Sequence, residues 1–200
     1  MLTVGDRFPA FSLNSVVSLE PNSEFKTLTH ESFPGKWLVV FFWPMDFTFV
    51  CPTELIAFNE KLEEFKKRNA ALVGVSVDSE YTHLAWINTP RKQGGLGGLN
   101  YPLVADLSKK IARAYGVLTG DESVALRGLF LIDREGLVRH ELVNDLPLGR
   151  SVDEVLRILD ALQHFEQHGE VCPANWKPGG KTMKADPIQS REYFETVHAG

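Results

Sequence analysis

The sequence predicts an α/β fold in which helices flank a mixed central sheet, followed by a C-terminal arm. Short apolar runs suited to buried strands alternate with segments whose apolar residues recur at helical spacing. Late in this alternation only three residues separate two strand-like runs, as is typical of an antiparallel hairpin. Parallel crossover units closed by a hairpin and a helix give a mixed sheet.

The chain up to residue 115 contains three predicted strands and two predicted helices. Residues 37–43 are a purely apolar run and predict a buried strand, and residues 52–69 have the period of an amphipathic helix. Further strands are predicted over residues 71–77 and 101–105, and a short helix over residues 108–115. Strand and helix therefore alternate, as a parallel sheet with crossover helices requires.

The second half begins with the hairpin, whose strands are predicted over residues 124–133 and 137–143. Ser151 and Glu154 then form a capping box that opens a long helix, and Gly169 marks its end. This order of elements is that of thioredoxin-like folds, to which we assign the chain by analogy.

Composition predicts one globular domain with a tail of different character. The chain has 200 residues, 44% of them hydrophobic and 24% charged, which suffices for a sizeable core. After Gly169 prolines and glycines become frequent around Cys172. We therefore predict a thioredoxin-like domain over residues 1–169 and an arm over residues 170–200.

The glycine-rich segment 94–98 is predicted to be a flexible turn, because it lacks the Gly-Lys-Ser/Thr of a phosphate loop.

Charge and hydropathy exclude several classes of partner. The net charge of −5, without a cluster of Lys and Arg, argues against nucleic acid and anionic membrane surfaces. No apolar run approaches the roughly 20 residues that span a bilayer, and the N-terminus lacks the pattern of a secretory signal. We expect a soluble, cytoplasmic protein without a membrane partner.

Cys51 carries the strongest chemical signal, because it lies between the first predicted strand and the first long helix. Pro52 has no amide hydrogen and is tolerated only in the first helical turn, which places Cys51 at the helix N-terminus. The unpaired backbone N–H groups there favour the thiolate, so we expect Cys51 to ionise near neutrality. The alternative is a small buried hydrophobe. The Thr48 hydroxyl one turn earlier favours the reactive interpretation.

Glu54 occupies the position that a second cysteine takes in Cys-x-x-Cys motifs. A disulfide within this motif is therefore impossible. If Cys51 is oxidised and recycled, the attacking thiol comes from Cys172, from a small thiol or from another protein.

Arg127 lies inside a predicted apolar strand, where an unpaired guanidinium is rare. A buried position requires an anionic partner, and the candidates are the Cys51 thiolate and the Glu54 carboxylate. An edge-strand arginine that extends to water is the alternative, and periodicity alone does not decide between them.

Taken together, these residues resemble the peroxiredoxins, and in particular the typical two-cysteine group that includes alkyl hydroperoxide reductase and thioredoxin peroxidase. The resemblance covers essentially the whole chain. Its motifs, in chain order, are Pro44 with Thr48 and Cys51, Gly94-Gly95-Leu96-Gly97, Val171-Cys172-Pro173 with Trp176, and Tyr193-Phe194.

The resemblance implies a role for each site residue. Cys51 would attack a peroxide oxygen and become a sulfenic acid, while Thr48 and Arg127 hold the two oxygens in line. Pro44 would shield the thiolate from water. The resemblance also implies a supporting network of Glu54 and Arg150 that orients Arg127.

The resemblance further implies that Cys172 of the partner subunit resolves the sulfenic acid as an intersubunit disulfide. The protein would then be a homodimer, or a decamer assembled from dimers, that reduces hydrogen peroxide and organic hydroperoxides. A thioredoxin-like protein or a flavoprotein reductase would recycle it, without cofactor or metal. Two positions depart from the family pattern, with Trp43 in place of a frequent tyrosine and Asn175 in place of a small residue.

Other functions receive less support from the sequence. A redox sensor or chaperone-like oligomer without sustained turnover is the main rival. His164 and His168 have metal-ligand spacing, but near a helix C-terminus such histidines more often lie in solvent. A Cys–His hydrolase would need one histidine beside Cys51, and spacing selects none of the six: His30, His83, His140, His164, His168 and His198.

Overall fold

The structure is a computed structural model that describes residues 2–197. The chain divides into two compact units, Met1–Val152 and Asp153–Gly200. The strands of the first unit are β1 (Ser12–Val16), β2 (Phe25–Thr29), β3 (Trp37–Phe42), β4 (Ala70–Ser76), β5 (Leu103–Ala105), β6 (Arg127–Ile132) and β7 (Val138–Asn144). Its α-helices are α1 (Val50–Glu60), α2 (Leu62–Lys67), α3 (Glu80–Asn88) and α4 (Lys110–Tyr115).

The seven strands form one mixed sheet in the order β2-β1-β5-β4-β3-β6-β7. Strands β3, β4 and β5 are parallel, and β6 lies antiparallel between β3 and β7. The predicted mixed sheet and its hairpin are therefore confirmed. All six residues of β3 are buried, as expected for a central strand covered on both faces.

Successive side chains of β3 point to opposite faces of the sheet, and each face has its own helical cover. Phe42 joins a core cluster that includes Tyr115 of α4, with ring centroids 5.1 Å apart. Phe41 stacks on Phe58 of α1 at 4.3 Å. Helix α1 is thus fixed against the strand that leads into it.

Three parts of this unit differ from the sequence prediction. The helix predicted over residues 52–69 is interrupted at Lys61, which separates α1 from α2. Strands β1 and β2 and helix α3 were not predicted. The two strands are short and rich in polar residues, so they lack the apolar run on which the other strands were recognised.

The turn predicted at residues 94–98 is present in the structure, and its flexibility stays a prediction. The amides of Leu96 and Gly97 donate to the carbonyls of Trp86 and Thr89 at 3.1 and 2.9 Å, which fastens the segment to the end of α3. A Cβ atom on Gly95 would lie 2.0 Å from the Thr89 carbonyl oxygen, so glycine serves close packing there.

The second unit contains α5 (Val152–His168), a two-stranded sheet of β8 (Glu170–Val171) and β9 (Met183–Lys184), and α6 (Arg191–Val197). Gly169 follows α5 with a φ of 67°, as expected of a glycine that ends a helix. The division into two compact units falls at the start of α5. The predicted boundary after residue 169, between the thioredoxin-like domain and the arm, is a functional one and stays a prediction. Within residues 2–197, none of the helices is long and apolar enough to cross a membrane.

Candidate active site

Cys51 is the second residue of α1 and its exposed fraction is 0%. Strand β3 ends at Phe42, and residues 43–49 connect it to α1. Pro52 occupies the first turn of the helix, as its missing N–H group requires. The predicted placement of Cys51 at the helix N-terminus is therefore confirmed.

Arg127 is the first residue of β6 and is only 4% exposed. Since β6 runs antiparallel to β3, its first residue lies near the end at which β3 leads into α1. Its Nη1 atom lies 3.3 Å from Cys51 Sγ and 2.7 Å from Glu54 Oε2. Both anionic candidates are contacted by one nitrogen, and the alternative of an arginine that extends to water is wrong.

Glu54 is buried and accepts from two arginines. Its Oε1 atom accepts from the Arg150 backbone N–H at 2.8 Å and from the Arg150 Nε–H at 2.7 Å, while Oε2 accepts from Arg127. Arg150 also donates to the Gly128 carbonyl at 2.7 Å. Burial lowers the pKa of the Arg150 guanidinium, and the Glu54 carboxylate opposes this effect. The predicted network of these residues is thus present in the structure.

Charge balance in this cluster favours an anion at Cys51. Two buried guanidinium groups, Arg127 and Arg150, face the single carboxylate of Glu54. An uncompensated buried charge is costly, and a thiolate 3.3 Å from Arg127 Nη1 would supply the second negative charge. The site is therefore suited to hold Cys51 as a thiolate nucleophile.

Thr48 and Pro44 are half-buried in the connection between β3 and α1. The Thr48 hydroxyl donates to the Met45 carbonyl at 3.0 Å and closes a local turn. The structure thus shows a local partner for this hydroxyl, and the role predicted for Thr48 stays a prediction. The same holds for the shielding role of Pro44.

A buried network around Asp46 was missed by sequence reasoning. Asp46 accepts from the Trp43 indole N–H at 2.9 Å, and its Oδ2 lies 2.7 Å from His83 Nδ1. Its backbone N–H donates to Asp78 at 3.0 Å. Burial raises the pKa of Asp46, and the hydrogen bond from His83 opposes this effect. The tryptophan in place of a frequent tyrosine was the available signal, since its N–H group requires a buried acceptor.

Cys172 follows β8 in the second unit and is half-buried, with its thiol 3.7 Å from the Ala161 carbonyl. Burial raises the pKa of this thiol, and the charge of Arg157 opposes the change. Arg157 also donates to the Trp176 carbonyl at 3.0 Å. The segment that carries Cys172 is thus fastened to α5.

Two further features of the second unit bear on the sequence analysis. Asn175 has a φ of 60°, in the left-handed region of backbone conformation. Asparagine adopts this conformation more readily than most residues, so it can stand where the family pattern has a small residue. His164 and His168 stack with ring centroids 4.2 Å apart. Among residues 2–197 no group of three or more His, Cys, Asp or Glu side chains could hold a metal ion. His198 lies outside the described residues.

Comparisons with known proteins agree with this geometry. Residues 4–141 match the model of the AhpC/TSA family, and residues 161–196 match that of the C-terminal domain of 1-Cys peroxiredoxin. Peroxiredoxin 2 of Drosophila melanogaster is 57% identical over 189 residues, which are 94% of this chain and 95% of the relative. The chain belongs to the peroxiredoxin family.

Other peroxiredoxins extend the comparison. The mitochondrial thioredoxin-dependent peroxide reductase of Mus musculus is 57% identical over 95% of this chain and 72% of its own length. The crystal structure of reduced 2-Cys peroxiredoxin from Plasmodium vivax superimposes with a TM-score of 0.91 at 46% identity, covering 96% of this chain and 98% of that one. AhpC of Mycobacterium bovis superimposes with a TM-score of 0.76 at 41% identity, covering 88% of this chain and 99% of that one. The predicted thioredoxin-like fold is confirmed.

Proposed function

We propose that this peroxiredoxin reduces hydrogen peroxide and organic hydroperoxides with Cys51 as the nucleophile. The Cys51 thiolate attacks one peroxide oxygen, the O–O bond breaks, and the other oxygen leaves as hydroxide or alkoxide, which takes up a proton. Sulfur is oxidised to a sulfenic acid and the peroxide is reduced to water or an alcohol. The observation that carries this proposal is the buried Cys51 thiol 3.3 Å from the Arg127 guanidinium.

Arg127 would act on the charge that develops along the breaking O–O bond. It is held from three sides, by Glu54, by the Cys51 sulfur and by the Leu146 carbonyl, which accepts from its Nε–H at 2.7 Å. Such preorganised donors need no reorganisation during the reaction. Thr48 would orient the substrate oxygens, and Pro44 would exclude water from the thiolate.

Resolution of the sulfenic acid would use the second cysteine. The Cys172 thiol of the partner subunit attacks the Cys51 sulfenic sulfur, a disulfide forms, and the hydroxyl group leaves as water. A protein dithiol of the thioredoxin type then reduces the disulfide. The name of the mouse relative, a thioredoxin-dependent enzyme, supports this choice of reductant.

We also propose that the subunits form a homodimer and that dimers assemble into a decamer. Strand β7 ends the sheet of the described residues, and an open strand edge is a template for pairing with a second copy. Apolar side chains of the connection between β3 and α1 are exposed, with Phe49 at 91% and Phe47 at 51%. Such a patch favours self-association. A cytoplasmic location stays a proposal that cell fractionation tests.

Steady-state turnover tests the function. With thioredoxin, its reductase and NADPH, we expect many equivalents of peroxide to be consumed per subunit, because the disulfide is reduced in each cycle. Consumption that stops after one equivalent with every reductant in a panel of thioredoxin-like proteins and flavoprotein reductases would favour the redox sensor or chaperone-like oligomer instead.

The connectivity of the disulfide is tested on a non-reducing gel. After one equivalent of peroxide we expect the wild type to migrate as a covalent dimer, because the disulfide joins Cys51 of one subunit to Cys172 of the other. The Cys172→Ser variant is the matched control and should remain monomeric on the same gel. A wild type that stays monomeric, with the disulfide mapped by mass spectrometry within one chain, contradicts intersubunit resolution.

A further inference from the structure

The buried position of Cys51 requires part of α1 to open during each cycle. Cys51 is 0% exposed, so a second thiol cannot reach its sulfur while the first turn of the helix is formed. Glu54, which holds both Arg127 and Arg150, lies only one turn further along the same helix. The extent of the opening therefore decides whether these arginines keep their carboxylate partner.

The N-terminal cap of α1 contributes few hydrogen bonds, although Cys51 and Pro52 of the first turn are buried and Arg127 contacts the Cys51 sulfur. Phe49 caps the helix without a side-chain hydrogen bond, and its own ring is 91% exposed. The hydroxyl of Thr53 bonds only within the turn, to the Val50 carbonyl at 2.6 Å. Phe47, two residues before the cap, has a φ of 52°, which is unfavourable for an aromatic residue. Opening of residues 50–53 therefore disrupts few contacts of the helix cap.

The helix is fastened from its second turn onward to the segment that precedes β5. The Tyr101 hydroxyl donates to the Leu55 carbonyl at 2.9 Å, and the Asn100 N–H donates to Asn59 Oδ1 at 2.8 Å. Arg91 lies 3.1 Å from Glu60 at the end of α1. Of these contacts, the bond from Tyr101 is nearest to the turn that carries Cys51.

Tyr101 is a buried residue whose hydroxyl is well placed for this contact. It is 6% exposed and packs edge-on against Phe41, with ring centroids 5.8 Å apart. Burial raises the pKa of Tyr101 well above its ordinary value, so the phenol keeps its proton and remains a donor. The phenol can therefore donate to the Leu55 carbonyl while the second turn is helical.

We infer that Tyr101 fixes the boundary at which α1 stops unwinding, between Thr53 and Glu54. It is a positioning residue, because it keeps Glu54 in place, and through it Arg127, while the first turn opens for resolution. The inference rests on the proposed function, in which Cys51 must become accessible to Cys172.

Hydrogen exchange locates the boundary directly. If only residues 50–53 unwind, the amides of Phe58 and Asn59 keep their helical acceptors, which are the carbonyls of Glu54 and Leu55. In the disulfide form of the wild type we therefore expect fast exchange at residues 54–57 and protection at residues 58–60. Mass spectrometry with fragments short enough to separate these two groups supplies the measurement.

In the Tyr101→Phe variant we expect exchange at residues 58–60 of the disulfide form to rise by about 2- to 10-fold, which is the scale of one lost hydrogen bond. In the reduced form, exchange at residues 58–60 should rise less, because the first turn of α1 is still helical and supports the second turn. A merely structural role of Tyr101 would accelerate exchange equally in both forms, and that result overturns the inference.

Tyr115→Phe is the matched control. Tyr115 is a fully buried tyrosine of the same unit, and its hydroxyl has no hydrogen-bond partner among the residues that the structure describes. Its replacement should leave exchange at residues 58–60 unchanged. If no disulfide forms at all, the proposed mechanism of resolution fails. If it forms and residues 58–60 exchange as fast in the wild type as in Tyr101→Phe, the role of Tyr101 fails alone.

Discussion

Replacement of Cys51 by serine is expected to lower peroxide reduction by a factor on the order of 10⁴ or more, the scale on which loss of a nucleophile acts. A serine hydroxyl does not ionise near neutrality, so no anion remains to attack the O–O bond. The fold should persist, because serine is similar in size and its oxygen can accept from Arg127, which now contacts the sulfur at 3.3 Å. Stopped-flow measurement of the first oxidation, together with thermal unfolding, checks both statements.

Cys172→Ser is the control that separates the two cysteines. This variant should consume one equivalent of peroxide at the wild-type rate, because Cys51 and its contacts are unchanged. It should then fail to turn over with a dithiol protein as reductant, since the intersubunit disulfide cannot form. Wild-type peroxide reduction by Cys51→Ser would refute the assignment of the nucleophile.

Replacement of Arg127 by alanine is expected to slow the first oxidation of Cys51 by about 10²- to 10³-fold, the effect of removing one preorganised donor from a charged transition state. The folded state should survive, because Glu54 keeps its two bonds from Arg150 at 2.7 and 2.8 Å. The rate constant of sulfenic acid formation under single-turnover conditions is the measurement.

Two further variants show whether the effect belongs to the position and chemistry of Arg127. Arg127→Lys keeps the positive charge but loses the planar donor fork, so its rate should lie between those of wild type and Arg127→Ala. Arg139→Ala removes an arginine of the adjacent strand that lies 3.2 Å from Asp133, and should leave the rate of oxidation unchanged. An Arg127→Ala enzyme with the wild-type rate of oxidation contradicts a role in the transition state.

Hydrophobic pattern predicted the central elements of the fold well. Strands β3, β4 and β6 are apolar runs that were recognised as strands, and the antiparallel pairing of β6 with β7 was predicted from the length of their connection. The polar strands β1 and β2 were missed because pairing with neighbours, and not their own composition, stabilises them. The break at Lys61 was missed because the apolar period continues through it.

For the site, the sequence by itself determined the local chemistry: Pro52 places Cys51 in the first turn of α1, and Glu54 excludes a disulfide within the motif. Only the tertiary structure decided the partners of these residues. Arg127 lies 76 positions from Cys51, and Arg150 lies 96 positions from Glu54. Contacts at such separation depend on the pairing of β3 with β6 and on the burial of each charge, which local patterns do not encode. The bond from Tyr101 to Leu55, 46 positions away, was invisible for the same reason, because a buried polar group selects its partner only after the chain has packed.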